Sequence, residues 1–136
     1  MRVKDFMITD VKSASSNETA EAAWSRMQKN HIRHLVVIDD GRIIGMISER
    51  DLGRFDEGWQ RERMLVRDVM TKNVITAESE MNIREAANLM RGSTIDCLPI
   101  VEQGELVGLI TTTDLLELLG KGSDREIMGA HKKPVR

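Results

Sequence analysis

The feature that most constrains this 136-residue sequence is that it repeats itself. Shifted by 63 positions without a gap, the stretch from Val3 to Leu52 lies over Val66 to Leu115. Identities fall at Val3/Val66, Asp5/Asp68, Met7/Met70, Ala23/Ala86, Met27/Met90, Gly41/Gly104, Gly45/Gly108, Asp51/Asp114 and Leu52/Leu115. Chance does not hold two glycines, a closing Asp-Leu and the apolar positions between them in one register. The chain is therefore read as two copies of one supersecondary unit. So small a unit buries too little apolar surface to stand alone comfortably, which makes the sister copy its expected partner.

Each copy carries the same signals in the same order. A short apolar helix is expected at Val3–Met7 and at Met64–Met70, followed by an extended piece at Val11–Ser13 and Val74–Thr76. A longer helix opens at Thr19 in one copy and at Asn82 in the other, where Glu85 has capping-box spacing. Ala23 with Met27, and Ala86 with Met90, fall four apart on one helical face. Apolar strands follow at His34–Asp39 and Arg42–Ser48, and at Cys97–Glu102 and Glu105–Thr111. Asp40-Gly41 and Gln103-Gly104 mark tight turns between them. A last helix begins near Asp51 and near Asp114. The fold class is α+β: in each copy a small sheet with helices on one face, the two sheets packed together, which fits strands that are apolar on both faces. Pro99 lacks a backbone donor, so its strand is expected at an edge or paired on one side only. Residues 1–62 form the first repeat with its polar connector (56–62), 63–120 the second repeat, and 121–136 a flexible tail.

Composition narrows the function classes. The net charge is -2 with both signs interspersed, and the one run rich in cations is the tail with Lys132, Lys133 and Arg136. That is no footprint for a phosphate backbone, so nucleic acid is not expected as a partner. The longest apolar run, Leu35-Val36-Val37-Ile38, is too short for a bilayer, and no apolar leader opens the sequence. The single Cys97 cannot make an internal disulfide, which suits a cytoplasmic location. His31 and His34 have no third clustered ligand, and neither a nucleophile elbow nor a phosphate-cradling glycine loop is present. An enzyme is not expected.

One motif repeats with the frame: Gly45-Met46-Ile47-Ser48-Glu49-Arg50-Asp51 and Gly108-Leu109-Ile110-Thr111-Thr112-Thr113-Asp114. A carboxylate on the first turn of a helix can hold the diol of a ribose through short, charge-assisted bonds. The same spacing also serves an ordinary helix cap, and the two uses can coexist.

With these motifs, Ile32-Arg33-His34-Leu35-Val36-Val37 with its counterpart Ile95-Asp96-Cys97-Leu98-Pro99-Ile100, and a Val-x-Asp-x-Met opening in each copy, the sequence resembles a tandem pair of cystathionine β-synthase (CBS) domains, a Bateman module. The resemblance implies two β-α-β-β-α repeats related by a pseudo-twofold axis, with two clefts between them that take adenosine-containing ligands: AMP, ADP, ATP or S-adenosylmethionine. No cofactor is required. Carried over, Asp51 and Asp114 would bind ribose hydroxyls with help from Ser48 and Thr111. Thr9, Val11, Thr71 and Thr76 would border the adenine, and His34 and Cys97 would lie near the phosphates or base. Because Arg50 is matched by Thr113, His34 by Cys97 and Arg33 by Asp96, the cleft beside Asp51 is expected to be the cationic one. Leu115, Leu116, Leu118 and Leu119 cover more of the last helix than one narrow stripe needs, which suits a homodimer. The resulting expectation is a stand-alone regulatory module that binds an adenine nucleotide and signals to an effector protein not yet identified. The alternative is a ligand-free adaptor.

Overall fold

The computed structural model of the chain describes residues 1–55 and 57–122. Its two long helices begin and end as local chemistry dictates. In α1 (Ala20–Asn30) the Thr19 hydroxyl accepts the Ala22 N–H at 3.0 Å. In α5 (Ile83–Ser93) Asn82 accepts from the Arg84 N–H at 2.8 Å, and Glu85 accepts from the Asn82 N–H at 3.3 Å. Both helices stop at a left-handed residue, His31 (φ 55°) and Thr94 (φ 56°), one repeat apart.

The hairpins β2 (His34–Asp39) with β3 (Arg42–Ser48), and β5 (Cys97–Glu102) with β6 (Glu105–Thr111), have the bounds read from the sequence. Their turns place two residues at positive φ, Asp40 (50°) with Gly41 (75°) and Gln103 (53°) with Gly104 (83°). That is the backbone whose twist matches a two-residue hairpin. A third strand completes each sheet: β1 (Ser13–Ala14) parallel to β2, and β4 (Ala77–Glu78) parallel to β5. These strands start later than the expected Val11–Ser13 and Val74–Thr76. Alanine sits in the ladder under the helix, while Val11 packs between the sheets. The sheet orders are β1-β2-β3 and β4-β5-β6, so Pro99 lies in a central strand but is paired on one side only, with Leu109, the second of the two expected arrangements. It is tolerated because β4 meets β5 only from Ile100 onward. At the equivalent place in the first copy, Val36 N–H donates to Lys12 O at 3.4 Å, a bond proline cannot make.

The opening segments cross over. The 3-10 turn Val3–Asp5 packs in the core of the second repeat, with Val3 buried among Ala86, Leu98 and Ile110. Helix α4 (Val66–Val69) packs in the first core, with Val66 among Ala23, Leu35 and Ile47. Backbone bonds fix both exchanges: Val3 N–H to Met81 O (2.9 Å) and Ile83 N–H to Met1 O (2.9 Å) on one side, Val66 N–H to Glu18 O (2.8 Å) and Ala20 N–H to Met64 O (2.8 Å) on the other. The repeated aspartates stabilise these openings, since Asp5 accepts from Arg2 N–H and Asp68 from Leu65 N–H, each at 3.0 Å. A third apolar layer, including Val36, Cys97, Leu109, Met46 and Leu106, seals sheet against sheet.

Helix α2 (Glu49–Gly53) ends the first copy's motif. The polar connector contains a short helix, α3 (Gly58–Glu62), pinned to α1 by the buried Arg61. Arg61 donates to Glu21 Oε1 and to Phe55 O, both at 2.6 Å, and lies 4.5 Å over the Trp24 ring. Helix α6 (Thr112–Gly122) packs Leu115 on the second core and leaves Leu116 and Leu119 exposed. The tail expected over 121–136 lies, from residue 123 on, outside the described residues, as does Asp56 of the connector. No helix among the described residues is long and apolar enough to cross a membrane.

Candidate functional site

The repeated motif starts at a glycine for a steric reason. A Cβ on Gly45 would stand 2.9 Å from Thr71 O, and one on Gly108 would stand 3.1 Å from Ile8 O. In each case the opening segment of the other copy lies against the strand, paired with the residue beyond the glycine: Met46 with Thr71, and Leu109 with Ile8. The hydroxyl and carboxylate that follow form reciprocal caps. Asp51 N–H donates to Ser48 Oγ (3.1 Å) and Ser48 N–H to Asp51 Oδ2 (3.0 Å). Asp114 N–H donates to Thr111 Oγ1 (3.1 Å) and Thr111 N–H to Asp114 Oδ2 (2.9 Å). Among the described residues, Oδ1 of each carboxylate makes no hydrogen bond. Capping therefore leaves one oxygen of each carboxylate available to accept another hydroxyl.

Two grooves flank these motifs, and each is built from both copies. The first, of about 180 Å³, is walled by Ser48 and Asp51 of one copy and by Thr71, Asn73, Thr94 and Cys97 of the other. The second, of about 500 Å³, is walled by Thr111 and Thr113 of the second copy and by Val11, Lys12, His31 and Arg33 of the first. His34 and Asp96 border both, their side chains 3.3 Å apart across the junction of the repeats. A third hollow, of about 200 Å³, lies over Ser48, Glu49 and Arg50 beside Arg33 and His34.

The structure brings Asp51, Ser48, His34, Thr71 and Cys97 to the small groove, and Val11, His34 and Thr111 to the large one. Asp114 caps its helix beneath Thr111 without lining that groove, and Arg50 faces the third hollow. Thr9 and Thr76 are exposed and line none of the three. Each groove combines the motif of one copy with the helix-to-strand corner of the other, so Arg33 lines the large groove; it also lines the third hollow, where it joins Arg50 beside Ser48. The corner residues His31 and Thr94, and Lys12 just past the first opening segment, line the grooves without a local sequence pattern that marks them. Burial, with help from the nearby carboxylates of Asp96 and Asp114, pushes the Cys97 thiol up to about 12, so it remains a protonated packing group.

Residues 3–57 and 66–121 each match the family described as CBS domain. The chain is 32% identical over 114 residues to the CBS domain-containing protein YhcV of Bacillus subtilis, covering 83% of this chain and 81% of that protein. It is 36% identical over 115 residues to an inosine-5'-monophosphate dehydrogenase of Korarchaeum cryptofilum, covering 84% of this chain but only 23% of the dehydrogenase. Among solved structures, it is similar to the CBS domain pair of protein MJ0100 in complex with 5'-methylthioadenosine and S-adenosyl-L-methionine. The TM-score is 0.80 at 28% identity, over 89% of this chain and 97% of the other.

Proposed function

The chain belongs to the CBS domain family, and from that premise we propose that it is a regulatory module that binds an adenosine-containing ligand between its two repeats. The observation that carries this reading is the placement of Asp51. Its carboxylate caps α2 through Oδ2 and lines a groove whose far wall comes from the other copy. A ligand held there touches both copies at once, so its binding free energy depends on how they are arranged. The similarity to a CBS pair solved with 5'-methylthioadenosine and S-adenosyl-L-methionine supports an adenosine compound as the ligand class. AMP, ADP, ATP and S-adenosylmethionine are the candidates. The dehydrogenase relative is matched over 23% of its length, and the module reading assigns this chain no catalytic role of its own.

Output passes to an effector protein, in the cytoplasm, through the altered arrangement of the repeats. The exposed Leu116 and Leu119 on α6 support association into a homodimer. The test of ligand binding is a thermal-shift panel of AMP, ADP, ATP, NAD and S-adenosylmethionine. A ligand at one hundred times its Kd adds about 2.7 kcal/mol, a rise in Tm on the order of 10 °C for a chain of this size. No shift with any member of the panel overturns the ligand-binding reading.

A further inference from the structure

The glycine that opens each repeated motif receives a sulfur. The Met7 thioether fills the space beside Gly108, and Met70 does the same at Gly45, so a Cβ at either glycine would overlap the sulfur. Both methionines belong to the crossing segments, and each packs on the core of the copy it crosses to, Met7 on the second and Met70 on the first. Each also precedes the residue that fixes the crossing. Ile8 exchanges two backbone hydrogen bonds with Leu109 (2.9 and 3.0 Å), and Thr71 exchanges two with Met46 (2.8 and 3.0 Å). Ile8 lines the large groove and Thr71 the small one. In each half, the sulfur seat, the crossing and a groove wall therefore form one unit.

A thioether is the oxidisable atom of an otherwise inert apolar side chain. Met27 and Met90 are 0% and 3% exposed and shielded from solutes, whereas Met7 and Met70 are only partly buried. Hydrogen peroxide that reaches such a sulfur is attacked by a sulfur lone pair. The S–O bond forms as the O–O bond breaks, and the transferred oxygen gives its proton to the departing one, which leaves as water. Methionine is oxidised to the sulfoxide and the peroxide is reduced. The product has no good place in the native packing. If it stays, it carries a polar oxygen into an apolar seat; if it swings out, the seat beside the glycine is left empty. Either outcome loosens the crossing segment. We infer that Met7 and Met70 are paired oxidation sites, through which a peroxide unfastens the crossings that hold the two repeats together. This goes beyond the ligand reading, since the oxidant is a second input that acts on a wall of each groove.

Treatment of the full chain with hydrogen peroxide, followed by peptide mass spectrometry and thermal unfolding, tests it. The melting temperature should fall by on the order of 10 °C, the effect of two misplaced polar groups in a chain of this size. The fall should follow the conversion of Met7 and Met70 and not that of Met1, which is 64% exposed and outside both cores. The double variant Met7→Leu with Met70→Leu, which nearly conserves volume, should stay within about 3 °C of its untreated melting temperature after the same treatment. Amide exchange at Ile8 and Thr71 should quicken in the oxidised wild type, and methionine sulfoxide reductases for both epimers should reverse both changes. A fall that comes while Met7 and Met70 remain unoxidised, or an equal fall in the double variant, overturns the assignment. So does full conversion of both methionines without a fall. All of these outcomes are read without nucleotide, so none of them bears on the proposed function.

Discussion

The Asp39 carboxylate accepts the Ser16 hydroxyl at 2.5 Å and the Ser16 N–H at 3.1 Å, and these bonds hold its pKa below the usual 3.8. A carboxyl depressed in the folded state stabilises the fold above its unfolded pKa and loses that contribution as pH falls through the folded value. Urea midpoints of the wild type and Asp39→Asn should therefore differ by a constant amount above about pH 4 and converge in stronger acid. A difference that persists unchanged to pH 2 would rule out Asp39 as the titrating group. At this scale much was legible in the sequence. Thr19, Asn82, Ser48 and Thr111 act on backbone groups two or three residues away, so their roles follow from spacing. Thr94, on the far wall of the groove from Asp51, was not legible, because it belongs to a distant corner of the other copy.

The hairpins could be read from the sequence because strand alternation and a two-residue turn are local properties. Where the third strand begins was not readable, since Ala14 and Ala77 are chosen by the space beneath α1 and α5 and not by strand propensity. The close approaches at Gly45 and Gly108 give the elements their own prediction. Either glycine changed to Ala should cost about 1–3 kcal/mol in denaturant unfolding, because the added methyl meets backbone oxygen of the crossing segment. Gly92→Ala, in α5 with open space around the new methyl, should instead gain up to about 1 kcal/mol. Equal effects at all three positions would show that the crossing segments do not press on β3 and β6.

At the scale of the whole molecule, the alignment of the copies is silent about the crossover, since Val3 and Val66 satisfy the same apolar pattern whether they pack on their own repeat or on the other. The structure decides for exchange. Deleting Met1–Ile8 should therefore destabilise the second repeat first. The loss of the buried Val3 alone is worth about 2 kcal/mol. Hydrogen exchange should accelerate in α5, β5 and β6 before it does in β2 and β3; faster exchange in the first hairpin would refute the exchange. The crossover also sets how the chain responds to force. Tension applied at Met1 bypasses the repeat that follows it in sequence and loads the end of α5 and the edge of β6, through Ile83, Met81 and Leu109. Under a pull from that end, the two halves should give way in the reverse of the order in which they are encoded.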